Sequence, residues 1–160
     1  MIPKILFFVF CLSVFTVFYS YVLFPLLLRI IAYKKSFKFS QNQNENGVSV
    51  LISAFNEESV IAEKIRSIFA SDFAPDKIEI LIGSDSSTDR TEVIVKEIML
   101  KEPRIRFFDY KVRRGKPSVI NDLVKEAKFP FVILTDANVY FEKNTINKLI
   151  RHFNDAKVGL

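Results

Sequence analysis

Phe131-Val132-Ile133-Leu134-Thr135-Asp136-Ala137-Asn138 is the stretch whose reading decides the fold. A short apolar run that stops abruptly at polar residues reads as a buried strand of a parallel sheet, covered on both faces and therefore free of polar alternation. Two oxygen-bearing side chains follow, two positions apart. In extended backbone, residues i and i+2 share a side, so Asp136 and Asn138 can face one ligand together, a hard cation or the hydroxyls of a sugar. The competing reading is a strand that ends in an ordinary turn, since Asp and Asn are common turn formers. The choice depends on what the other strand ends carry.

Outward from this stretch the pattern alternates between strands and helices. Residues 48–53 (Val-Ser-Val-Leu-Ile-Ser) form a first strand, and 57–71 a helix with Val60, Ile61, Ile65, Ile68 and Phe69 at helical spacing. Residues 78–83 are the second strand. Thr88 or Asp89 caps a second helix running to about residue 101, with Val93, Ile94, Ile98 and Met99 inward and Pro103 as its stop. Residues 104–110 are the third strand, and Pro117 suits the first turn of a helix ending near residue 128. After the fourth strand, residues 142–154 read as another helix with Ile146, Leu149, Ile150 and Phe153 inward. No internal repeat is present beyond this alternation.

Strands separated by helices imply right-handed crossovers and a parallel sheet covered on both faces. Ligands of such sheets sit beyond the carboxyl ends of the strands. Every polar cluster of interest falls there: Asn56-Glu57-Glu58 after strand one, 84–89 (Ser-Asp-Ser-Ser-Thr-Asp) after strand two, 111–116 after strand three, and Asp136-Ala137-Asn138 after strand four. The two acidic clusters also suit helix N-termini, where caps and negative charge are favoured. Capping accounts for one or two clusters; four that converge point to a ligand. The basic run Arg113-Arg114-Gly115-Lys116 beside acidic loops suggests phosphate on one side and a cation or sugar hydroxyls on the other.

The hydrophobic share of 49% is high for a wholly soluble domain, and the excess lies at the front. No charged residue occurs from Ile5 to Leu28, a run longer than the roughly 20 residues a helix needs to span hydrocarbon. A signal peptide would have a shorter apolar region and a small-residue cleavage site, and none follows. Residues 1–33 therefore read as a transmembrane anchor, with Pro25 kinking the helix or marking its interfacial end and Tyr19, Tyr21 and Tyr33 at the boundary. Lys4 precedes the span, whereas Arg29, Lys34, Lys35 and Lys38 follow it, which puts the downstream domain in the cytoplasm of a single-pass cell-membrane protein. Much of the formal charge of +5 is this juxtamembrane cluster, which suits anionic lipid and gives no reason to invoke nucleic acid. Cys11, the single cysteine, can form no intrachain disulfide. Residues 34–47 are a basic, then Asn- and Gln-rich, linker, and the domain runs from 48 to 160.

Several familiar sites are missing. A dinucleotide fold wants G-x-G-x-x-G after strand one, yet the glycines are Gly47, Gly83, Gly115 and Gly159. The run 113–118 matches a phosphate-binding P-loop only superficially, His152 stands alone on a helix, and no nucleophile, base and orienter arrangement is visible.

Residues 50–58 (Val-Leu-Ile-Ser-Ala-Phe-Asn-Glu-Glu), 83–91 (Gly-Ser-Asp-Ser-Ser-Thr-Asp-Arg-Thr), Arg114-Gly115-Lys116 with Asn121, and Thr135-Asp136-Ala137-Asn138 together resemble the family 2 glycosyltransferases of the GT-A fold, in order and from residue 48 to the end. The resemblance implies a Rossmann-like α/β half-fold with strand order 3-2-1-4, the apolar fourth strand being an open edge. It implies an inverting, hexosyltransferase-like transfer from a nucleotide-diphosphate sugar, commonly UDP-linked, to an acceptor hydroxyl in cell-envelope polysaccharide or glycolipid synthesis. Carried over by position, Ala54, Phe55 and Glu57 help hold base and ribose, Asp85 recognises the uracil edge, and Lys116 lines the donor site. Asp136 and Asn138 stand at the Asp-X-Asp element, which binds the diphosphate through Mg²⁺ or Mn²⁺. Asn138 replaces the second Asp, which weakens the attraction for the ion. The family's general base and acceptor site come later than Leu160, so the resemblance implies a donor-binding half that is a fragment or truncated product, with weak or no transferase activity alone. The alternative is a non-catalytic nucleotide-sugar binding module completed by a partner.

Overall fold

A computed structural model describes residues 2–33 and 46–154, which divide into two compact units, Met1–Lys38 and Phe39–Leu160. Residues 34–45, most of the expected linker, lie outside the described residues.

The first unit is one helix in three pieces: α1 (Ile2–Phe18), a π-helical turn (Tyr19–Leu23) and α2 (Phe24–Tyr33). Pro25 explains the turn. Its ring crowds the carbonyl four residues back and it has no N–H to donate; widening the preceding turn lets the Phe24 N–H reach Tyr19 O, and the helix continues. Pro25 therefore does not end the helix, since α2 runs on to Tyr33. The Ser13 and Thr16 hydroxyls donate to the Val9 and Leu12 carbonyls at 2.9 and 2.8 Å, which leaves an apolar, exposed surface. From Pro3 to Tyr33 the helix is long and apolar enough to cross a membrane.

The second unit alternates as the sequence predicts: β1 (Val48–Ala54), α3 (Ile61–Phe69), β2 (Ile78–Asp85), α4 (Thr91–Met99), β3 (Ile105–Tyr110), α5 (Lys116–Glu126), β4 (Phe131–Thr135) and α6 (Thr145–Ile150). The sheet is parallel with order β3-β2-β1-β4. Its register sets Ala54 beside Ser84, Ile52 beside Thr135, and Asp85 beside Tyr110, so the carboxyl ends of all four strands emerge along one edge.

Successive side chains point to opposite faces. On one face Val50, Ile52, Ala54, Ile80 and Ile82 pack with Ile61, Ile65 and Ile68 of α3, Val95 of α4 and Ile146 and Ile150 of α6. On the other, Leu51 and Leu81 meet Val119, Ile120 and Leu123 of α5. Both faces are covered, but unevenly. A helix about 10 Å across spans two strands spaced about 4.8 Å apart, and α5 lies over β1 and β2. The fourth strand is consequently half-covered rather than buried: Phe131 and Ile133 turn inward, while Val132 and Leu134 are exposed. Three helix expectations also shift. α3 begins at Ile61 because 58–60 form a turn; Val95, not the exposed Val93, is the buried valine of α4; and α6 is short, burying Ile146 and Ile150 but leaving Leu149 and Phe153 exposed.

Candidate functional site

The loops after β1 and β2 brace each other. Both turn through the left-handed region, at Asn56 (φ 55°) and Ser86 (φ 64°), where residues other than glycine are uncommon. Hydrogen bonds join the two loops. The Asn56 N–H donates to Ser87 Oγ (3.2 Å), Glu57 N–H to Thr91 Oγ1 (2.9 Å), Glu58 N–H to Asp89 Oδ2 (3.0 Å), Thr88 N–H to Asn56 Oδ1 (2.8 Å) and Arg90 N–H to Glu58 Oε2 (2.9 Å). Asp89 Oδ1 also accepts the N–H and hydroxyl of Thr91 at the start of α4. Desolvation would raise the Asp89 carboxyl, but these donors outweigh it and hold the group below its usual range. Asn56, Glu58 and Asp89 are thereby occupied in structure. Among the described residues the Glu57 carboxylate has no hydrogen-bond or ion-pair partner.

Asp85 ends β2 and is buried. Its two oxygens accept the N–H groups of Arg114 (2.7 Å) and Gly115 (2.9 Å). Gly115, at φ +82°, occupies backbone space that disfavours a side chain, just before α5 begins. Next to it, the Arg113 guanidinium lies 3.9 Å from the centre of the half-exposed Phe55 ring, and the Arg114 guanidinium pairs with Asp122 at 2.7 Å. Lys116 pairs with Asp136. The run 113–116 thus touches three strand ends in succession: Phe55 after β1, Asp85 of β2 and Asp136 after β4. The predicted residues Phe55, Asp85, Lys116 and Asp136 are gathered by this one loop. Ala54 stands apart, because it is wholly buried in the core.

Beyond β4 the turn of the opening stretch is present, and it leaves both oxygen-bearing side chains exposed. The chain does turn, with the Val139 N–H donating to the Asp136 carbonyl at 3.4 Å. Asp136 and Asn138 are nevertheless exposed on either side of the buried Ala137, so both side chains reach solvent at the sheet's edge.

Lys64 was not singled out by sequence. Its place in the i, i+3, i+4, i+7 set of Ile61, Ile65 and Ile68 was the available signal. It is wholly buried, and its Nζ donates to Thr135 Oγ1 (2.7 Å) and to the Val139 carbonyl. The same atom lies 4.2 Å from the Phe141 ring centre. Desolvation lowers its pKa from 10.5 to about 8, opposed by the negative charge of Asp136.

Among the described residues no three His, Cys, Asp or Glu side chains come together as a metal cage. Asp136 and Asn138 supply outward-facing oxygen donors. Mg²⁺ is commonly held by one or two carboxylates together with substrate phosphates and water, so this donor set fits a cation carried with a diphosphate.

Comparisons with known proteins bear on this edge directly. The sequence profile described as "Glycosyl transferase family 2" matches residues 49–160. The poly-beta-1,6-N-acetyl-D-glucosamine synthase of Staphylococcus epidermidis is 26% identical over 121 residues, 75% of this chain and 29% of that protein. The mannosyltransferase PcManGT from Pyrobaculum calidifontis, solved with GDP-Man and Mn²⁺, superposes with a TM-score of 0.76 at 27% identity over 84% of this chain and 41% of its own. S. aureus TarS in complex with UDP-GlcNAc gives a TM-score of 0.59 at 26% identity, covering 68% of this chain and 31% of that one. The chain thus spans less than half the length of each of these proteins.

Proposed function

The chain belongs to glycosyl transferase family 2, and on that premise we propose that its strand-end edge binds a nucleotide-diphosphate sugar, UDP-linked, for inverting transfer to an acceptor hydroxyl in cell-envelope polysaccharide or glycolipid synthesis. The apolar helix anchors this site at the cytoplasmic face of a membrane. One observation carries the reading: the basic run 113–116 contacts Phe55, Asp85 and Asp136 in order, so a single loop offers an aromatic–cation platform at one end and an ammonium–carboxylate pair at the other. A base suits the first and a diphosphate the second.

In detail, Phe55 stacks on the base with Arg113 at its edge, Asp85 accepts from the uracil imide while keeping its two backbone donors, and Glu57 faces the ribose, with the buried Ala54 supporting the strand end beneath it. Each carboxylate oxygen accepts more than one hydrogen bond, so the two roles of Asp85 are compatible. Lys116 exchanges Asp136 for the phosphates, which frees Asp136 and, beside it, Asn138 for Mg²⁺ or Mn²⁺. When bound, the cation neutralises charge developing on the leaving diphosphate. In the transfer the acceptor oxygen bonds to the anomeric carbon as the bond to the diphosphate breaks, and the acceptor proton passes to a base outside residues 46–154. The neighbours solved with GDP-Man and Mn²⁺ and with UDP-GlcNAc support a site of this kind.

Calorimetric titration of the full chain in nanodiscs with UDP and with GDP, with and without Mn²⁺, tests the reading. UDP binding that is lost in Asp136→Ala supports it; no binding of either nucleotide under either condition overturns it. Sugar turnover, assayed with the same preparation, separates a transferase from a binding module.

A further inference from the structure

Lys64 has no role in the transfer described above, yet it is the one charged side chain among the described residues that is wholly enclosed. Burying an ammonium is unfavourable unless its donors are matched. A Leu or Met in the same stripe of α3 would avoid that penalty, so retaining a lysine requires something an apolar residue cannot supply.

Its partners identify what that is. Thr135 immediately precedes Asp136, and Val139 immediately follows Asn138; Lys64 holds the hydroxyl of the first and the carbonyl of the second, with the Phe141 ring against its charge. One nitrogen on a separate helix therefore grips the chain on both sides of Asp136-Ala137-Asn138. The other hydrogen bonds given at the turn are local and long, at 3.4 Å from Val139 N–H to Asp136 O and 3.4 Å from Thr135 Oγ1 to the same carbonyl. Among the described residues no carboxylate pairs with Lys64; Asp136 acts on it through space.

We infer that Lys64 is a positioning residue that clamps the turn after β4 and so keeps Asp136 and Asn138 facing outward together. The inference rests on the donor-site reading for the ligand that the turn meets. It also divides the work between two lysines. Lys116 is half-exposed and is free to leave Asp136 for a phosphate, whereas Lys64 is fixed. Its two bonds to the chain on either side of the turn persist after Lys116 moves away.

The test uses full-length Lys64→Met in nanodiscs, a variant close in volume that cannot donate. Amide hydrogen exchange is read over 135–141 and over the central strands. Loss of about one to two charge-assisted hydrogen bonds predicts at least about tenfold faster exchange in 135–141, with β1 and β2 unchanged. Titration with UDP is the second readout: the affinity gained on adding Mn²⁺ falls about tenfold, while metal-free affinity stays within about twofold. Lys64→Arg restores part of both. Unchanged exchange in 135–141, or equal loss of affinity with and without Mn²⁺, overturns the inference. If Lys64→Met does not fold, Thr135→Val, which removes one of the two bonds, shows the same pattern at smaller amplitude, and its failure to do so is equally decisive. Wild-type protein that binds neither UDP nor GDP overturns the donor reading instead, while the exchange arm still decides the clamp.

Discussion

Replacing Asp85 by Asn perturbs the joint on which the whole edge depends. The buried carboxylate accepts the Arg114 and Gly115 N–H groups at 2.7 and 2.9 Å, and Asn keeps the shape while offering one oxygen and one NH₂. One N–H is still received; the other meets a donor. The first loss is a hydrogen bond to a charged group, about 1.5–3 kcal/mol, and the second is a donor left without a partner, about 1–3 kcal/mol. Relaxation of the exposed loop toward water recovers part of the sum, so a destabilisation of about 3 kcal/mol is expected, roughly a hundredfold in the folding equilibrium. With no tryptophan in the chain, urea unfolding of the micelle-bound protein is followed by far-UV circular dichroism, and amide exchange at 114 and 115 is measured alongside. Exchange at these two amides should accelerate by a similar factor whether the loop opens locally or the domain unfolds. A loss under about 1 kcal/mol with both amides still protected would refute the reasoning and leave Asp85 free for a ligand alone.

Three further outcomes follow from named contacts. Lys64, lowered by burial from 10.5 to about 8, binds its proton less tightly folded than unfolded; its contribution to stability therefore rises as pH climbs from about 8 to 10.5, by up to about 3 kcal/mol. The difference in urea stability between wild type and Lys64→Met, measured at pH 7.5 and 10.5, reads this, and a constant difference contradicts it. Gly83→Ala would place a Cβ 2.4 Å from Val119 Cγ1 and 3.3 Å from Tyr110 Cε2, costing about 1–3 kcal/mol; adding Val119→Ala should recover part of that in a double-mutant cycle, and strict additivity would show that the clash is elsewhere. Lys116→Gln breaks an exposed pair, so stability should move by less than about 1 kcal/mol, while UDP affinity drops about tenfold; unaltered affinity would remove Lys116 from the site.

The sheet was legible because β1 and β2 are continuous apolar runs that end in polar clusters, and each crossover carries a helical stripe. What composition could not show was how far the cover extends. Phe131-Val132-Ile133-Leu134 has the same pattern as a central strand, yet the width of α5 leaves Val132 and Leu134 uncovered, a matter of tertiary geometry. Val93 and Val95 lie two positions apart on the same helix, and packing against the sheet, which buries Thr91 and Val95, decides between them. Along the strand-end edge, residue type showed which loops carry polar groups but not the partners of those groups. Asn56, Glu58 and Asp89 resemble ligand groups in the sequence and turn out to bind the neighbouring loop. Lys64 was hidden for the opposite reason, because a lysine among isoleucines reads as a solvated helix position until its reach to Thr135 and Val139 is seen.

Once the loop-bracing residues are set aside, the charge balance at the β4 end becomes simple. Asp136 brings one negative charge, Lys116 and Lys64 bring two positive ones, and Asn138 brings none. A second carboxylate at 138 would cancel the excess; the amide retains an oxygen donor and leaves this end of the edge positive. Such an edge repels a free cation and attracts a polyanion, with Lys116 beside Asp136 and the start of α5 adding the positive end of a helix dipole. On the donor reading, the diphosphate is then the first thing this site recognises. On that reading Asn138 would be more than a weakened copy of an acidic ligand: it would tilt the site toward the nucleotide's own charge, with any cation held mainly by the phosphates it accompanies.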